Sequence, residues 1–72
     1  MPLANIKVIK GVFSDAEKQQ MIEKVTDALV KIEGELLRDK TVVIVEETQS
    51  GDWGIGGKTL TAEHVRHVRQ GG

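Results

Sequence analysis

Seventy-two residues make one domain at most, and 39% apolar residues with two aromatics, Phe13 and Trp53, make a small core. Without cysteine there are no disulfides, thiolate metal sites or thiol chemistry, so self-association is the expected source of extra stability. The net charge of -1 argues against a nucleic-acid surface, and no apolar run reaches the length of a membrane span or a signal sequence. A cytoplasmic protein is expected, bound to neither nucleic acid nor membrane.

The chain opens Met1-Pro2 and passes directly into a predicted strand, Leu3 to Ile9, with Ala4, Ile6 and Val8 on one face and Asn5 and Lys7 on the other. Pro2 has two readings. It can simply begin an edge strand, where a missing N–H is tolerated. If Met1 is removed, it is instead a secondary amine. An α-amino group titrates near ~7.7–8, and an apolar pocket lowers that value, which makes a general base or nucleophile at neutral pH.

Gly11 allows a turn, and Ser14-Asp15-Ala16-Glu17 has capping-box spacing. The helix that follows is expected to bury Met21, Ile22, Val25, Ala28, Leu29 and Ile32, to leave Lys18 in solvent, and to stop at Gly34. Glu35 to Asp39 reads as a connector with one helical turn. Thr41 to Val45 is a β-branched strand apolar on both faces, which suits parallel pairing, and Glu46 to Ser50 is expected to leave it. Strand, helix and strand make a right-handed βαβ unit. One helix covers one face of its sheet, so the other calls for a further copy of the chain.

Gly51 to Gly57 surrounds Trp53 with glycines and reads as a hairpin-like excursion, with Lys58 to Leu60 as a short strand. It is not a P-loop: Gly57-Lys58-Thr59 has the right ending, but Asp52 stands where the first glycine is needed. The glycines serve tight turns, or shape the rim of a pocket walled by Trp53. Thr61 to Val68 is predicted as one or two helical turns, followed by a fraying Gln70-Gly71-Gly72. His64 and His67 share a helix face without a third ligand, so no metal site is expected. Glu46 and Glu47 point to opposite faces and are not a carboxylate pair.

Taken together, Pro2 before a strand, the S-D-x-x-K helix start (Ser14, Asp15, Lys18), the strand ending at Glu47 and the G-x-W-G-I-G-G segment from Gly51 to Gly57 resemble the 4-oxalocrotonate tautomerase family. The resemblance runs from Pro2 to about Thr61. It implies an α+β fold: a β-α-β subunit with a C-terminal hairpin, residues 1–61 as core and 62–72 as tail, assembled as a homo-oligomer, either a hexamer or a dimer. It implies catalysis by the processed amino-terminal proline, Pro2, with Trp53 lining the active site, no metal or organic cofactor, and a small-molecule carboxylate as substrate. The reaction implied is keto–enol proton transfer on an unsaturated 2-keto or 2-hydroxy acid. Two arginines of the best-known members are missing, at Val12 and Val42, with one extra residue before the helix. Among Lys10, Arg38 and Lys40, Arg38 is the expected replacement, because a guanidinium fits a carboxylate bidentately. The missing arginines leave two other readings open: a non-catalytic oligomeric scaffold or ligand-binding protein, and a Pro2-dependent hydratase or dehalogenase of small acrylic acids.

Overall fold

The computed structural model describes residues 2–71. Met1 and Gly72 lie outside them, and with them the expectations that Met1 is removed and that Gly72 frays. The order is strand β1 (Leu3–Ile9), helix α1 (Asp15–Glu33), a 3-10 helix (Glu35–Lys40), strand β2 (Val42–Thr48), a hairpin of β3 (Trp53–Ile55) and β4 (Lys58–Leu60), and helix α2 (Ala62–Arg69).

β1 and β2 pair in parallel from Leu3 opposite Val42 to Ile9 opposite Thr48. α1 is the crossover between them. Its start is fixed by the expected capping box: the Glu17 N–H donates to Ser14 Oγ at 3.1 Å and the Ser14 N–H donates to Glu17 Oε1 at 2.9 Å. It ends at Gly34, whose φ of +104° suits glycine and whose N–H donates to the Val30 carbonyl at 2.8 Å.

The face that α1 turns to the sheet differs from the periodicity alone. Val30 is its buried residue, and Met21, Val25, Thr26, Leu29 and Glu33 are half-buried, while Ile22 and Ala28 are exposed and Ile32 is 86% exposed. Two strands offer a platform too narrow for the whole apolar arc. The helix therefore turns toward the Thr26–Val30 side and leaves Ile22, Ala28 and Ile32 outside. Lys18 is also not left to water. Its Nζ lies 3.2 Å from Asp15 and 3.1 Å from Glu47, tying α1 to the far end of β2.

That tie bears on a second difference. β2 continues through Glu46 and Glu47 to Thr48 instead of ending at Val45. Val8 and Ile9 extend the ladder opposite them, the Lys10 N–H donates to the Thr48 carbonyl at 2.8 Å, and Thr48 Oγ1 donates to the Val8 carbonyl at 3.2 Å. The two carboxylates do point to opposite faces: Glu47 toward α1, Glu46 to an Asn5 side-chain hydrogen bond on the open face.

The hairpin closes through Gly56 and Gly57, at φ +60° and +82°, the left-handed pair that a two-residue hairpin turn demands. Thr61 caps α2 by accepting the His64 N–H, and the Ala62 N–H donates to Ser50 Oγ. Val8, Ile9, Val30 and Ala62 are the buried apolar residues, and no side chain among the described residues is completely enclosed. The face of β1/β2 away from α1 leaves Leu3, Val42 and Ile44 open to solvent.

Candidate active site

Pro2 stands at the head of the ribbon. It begins the ladder as an acceptor, its carbonyl taking the Val42 N–H at 3.1 Å. Its ring is half-buried and lines an open cleft of about 420 Å³ with Leu29, Ile32, Glu33 and Leu37. Three of those four neighbours are aliphatic. A secondary amine here would lose hydration, which disfavours its cation and lowers its pKa. As an amide the same nitrogen has no basic lone pair, so chemistry at this place depends on the chain beginning at Pro2.

Glu33 is the polar member of that wall, and reading the sequence alone missed it. Its Oε2 lies 2.5 Å from the Thr41 hydroxyl, which is also 2.8 Å from the Leu37 carbonyl oxygen. Its Oε1 is buried without a hydrogen-bond partner among the described residues. The available signal was its spacing: Val25, Leu29 and Glu33 follow one another at intervals of four, placing a carboxylate on an apolar stripe.

Trp53 opens β3 opposite Leu60 and is half-buried. It follows the Thr48 end of β2, whereas Pro2 neighbours the Val42 end. Seven paired residues separate those ends, roughly 20 Å at about 3.3 Å per residue. One chain therefore does not bring Pro2 and Trp53 together along its ribbon.

Arg38 sits on the 3-10 helix beside the cleft residue Leu37 but does not line the cleft. Its Nε donates to Glu35 at 2.7 Å and its Nη1 to Asp27 at 3.0 Å. Those bonds hold the guanidinium protonated well beyond its ordinary range, and the Arg38 hydrogen bond pulls the Glu35 carboxyl below its own.

At the other end of β1, α2 grips the connection into α1. Arg66 Nη1 donates to the Gly11 carbonyl at 2.8 Å, and Arg69 donates to the Val12 carbonyl at 3.3 Å and to Glu17 at 2.8 Å. The Arg69 guanidinium also lies 4.8 Å over the Phe13 ring. His64 and His67 flank a polar surface groove with Thr61, Glu63, Arg66 and Gln70. Among the described residues no three His, Cys, Asp or Glu side chains are grouped to hold a metal, and no helix is long and apolar enough to cross a membrane.

Comparison with known proteins bears on this arrangement. The family described as "Tautomerase enzyme" matches residues 2–63. A probable tautomerase of Helicobacter pylori is 40% identical over 74 aligned positions, covering 97% of each chain. The 2-hydroxymuconate tautomerase of Bacillus subtilis is 33% identical over 61 positions, covering 85% of this chain and 95% of its own. Among solved structures, a 4-oxalocrotonate tautomerase isozyme of Methylibium petroleiphilum superposes with a TM-score of 0.72 at 31% identity, over 89% of this chain and 97% of its own. The strand–helix–strand fold is thus shared with proteins of this kind across nearly their whole length, and the chain belongs to the tautomerase family of isomerases.

Proposed function

We propose that the protein is a cytoplasmic, homo-oligomeric tautomerase in which Pro2, freed by loss of Met1, is the general base. Its ring nitrogen takes a proton from the enol oxygen or a carbon of a small unsaturated 2-keto or 2-hydroxy acid and returns it to another carbon. The observation that carries this reading is the half-buried Pro2 in a largely aliphatic cleft, where a free amine keeps its lone pair near neutral pH. The transfer moves protons and no net electrons, so we propose that no metal or organic cofactor takes part. Activity should then survive exhaustive chelation.

Trp53 supplies an apolar wall. Because it lies beyond the opposite end of the ribbon from Pro2, that wall comes from another copy, and the open Leu3, Val42 and Ile44 face gives the copies a surface to meet on. A hexamer is the assembly we propose. Arg38 holds the substrate carboxylate in this reading. To do so it exchanges one of its bonds, and the single Asp27 contact gives way more readily than the two-point Glu35 contact.

The test is ketonisation of 2-hydroxymuconate by methionine-free protein, followed by absorbance. Pro2→Ala should lower kcat/KM by about 10²–10⁴, the usual worth of a positioned base. Arg38→Ala should act mainly through KM. A Pro2→Ala protein as active as the wild type would overturn the assignment of the base.

A further inference from the structure

We infer that Glu33 is the acceptor that positions the Pro2 amine, an inference that rests on the reading of Pro2 as a freed amino terminus. The cleft brings together two groups that are each incomplete. Glu33 Oε1 is a buried acceptor with no donor among the described residues, while its other oxygen is engaged by Thr41. Buried acceptors are almost always paired, and a lone one asks for a partner. Pro2 lines the same cleft, and as an amide its nitrogen has no hydrogen to give. Loss of Met1 turns that nitrogen into a donor.

The consequence for proton transfer follows from valence. A neutral secondary amine carries one N–H and one lone pair. When the N–H donates to Glu33 Oε1, the lone pair is turned away from the carboxylate, into the cleft where a substrate would lie. After the lone pair takes the substrate proton, the nitrogen bears two N–H groups. The first still donates to Glu33, and the second is the transferred proton, aimed at the carbon that receives it. The transferred proton never passes to Glu33, which makes Glu33 a positioning residue and not a second base.

Glu33 also opposes the aliphatic walls. Leu29, Ile32 and Leu37 disfavour the ammonium, and a carboxylate favours it. Among the described residues lining the cleft, Glu33 alone has an ionisable side chain. Thr41, which caps the 3-10 helix, and Val42, which opens β2, bring no charge, and Arg38, next to Leu37 in the 3-10 helix, is bound to Glu35 and Asp27. The amine therefore titrates at a balance of the two influences, higher than the walls alone would set it.

Pro2 is the chain's single proline, so protein grown on [15N]proline gives one resonance. Its pH titration in methionine-free wild type and in Glu33→Gln reads the pairing directly. The substitution keeps the side chain's shape and removes its charge, so the midpoint should fall by about one pH unit or more. The pH–rate profile should move with it, and kcat should drop more than KM changes. In the wild type, the Glu33 carboxyl carbon should follow the same midpoint, a measurement that does not depend on any variant folding. An unchanged midpoint in folded Glu33→Gln, or a Glu33 carboxyl carbon blind to the Pro2 titration, overturns the inference. A fully active Pro2→Ala enzyme would instead overturn the base assignment and leave the paired titration standing.

Discussion

Glu17 joins three parts of the chain through one carboxylate. Its Oε1 closes the capping box with the Ser14 N–H, and its Oε2 receives Arg69 from α2. The Arg69 hydrogen bond first, and the Ser14 backbone bond second, pull its pKa from 4.5 to about 2. A folded value below the unfolded one means the contribution is complete above the unfolded value and fades as pH falls through the folded one. The thermal midpoint should therefore drop between pH 4.5 and about 2. In Glu17→Gln, which has no charge to lose, the acid slope should be shallower. The pair is partly exposed, so added salt should flatten the wild-type slope as well. Ser14→Ala removes the acceptor for the Glu17 N–H and should cost about 1 kcal/mol in denaturant unfolding.

At the scale of elements, α2 is the piece whose stability most needs explaining. Eight residues are too few for a helix to persist alone in water. It is held by buried Ala62 and by Arg66 and Arg69, whose partners lie more than fifty positions back in the chain. Arg69→Ala removes the Val12 and Glu17 bonds and the contact with the Phe13 ring in one change. Amide exchange should then quicken across Ala62–Arg69 and in the connection around Val12, with β1 and β2 still protected. Arg69→Lys should rescue little, because an ammonium cannot form the fork and the stack together. Such long-range anchors also explain what could be read in advance. The start and end of α1 rest on Ser14, Glu17 and Gly34, which are local, and both were legible. So were the parallel pairing of β1 with β2 and a hairpin-like excursion across Gly51 to Gly57, though not the position of its turn at Gly56-Gly57. The length of β2 was hidden from the residue pattern, though the resemblance carried the strand to Glu47, because Glu46 and Glu47 look like an exit until Lys18 is seen reaching Glu47. The inner face of α1 depends on how wide a platform it meets, which periodicity cannot express. In the candidate site, Pro2 and its strand were readable from order along the chain. The place of Glu33 beside Pro2 was not, since it takes the whole crossover to bring residues 2 and 33 to one cleft.

For the whole molecule, the thin core and the proposed sharing of a site between Pro2 and Trp53 have one remedy. Among the described residues the chain alone buries Val8, Ile9, Val30 and Ala62, and it exposes Leu3 at 60%, Val42 at 44% and Ile44 at 37% on one side of a two-stranded sheet. Two strands with one face bare are marginal in water, so covering that face adds stability that the single subunit lacks. The proposed role of Trp53 asks for the same thing, because copies must meet before a cleft at one end of a ribbon can share a wall with a hairpin beyond the other. Stability and activity should therefore depend together on concentration. Ile44→Asp places a charge in the middle of the bare face while leaving the Pro2 cleft and the α1 contacts untouched. By sedimentation it should be smaller than the wild type. Its activity should fall far below what the intact cleft would predict, and the wild type should lose specific activity on dilution over the range in which it dissociates. An Ile44→Asp protein that sediments as a monomer yet turns over enol substrate at the wild-type rate would mean that one subunit holds a complete site, and that Trp53 takes no part in it.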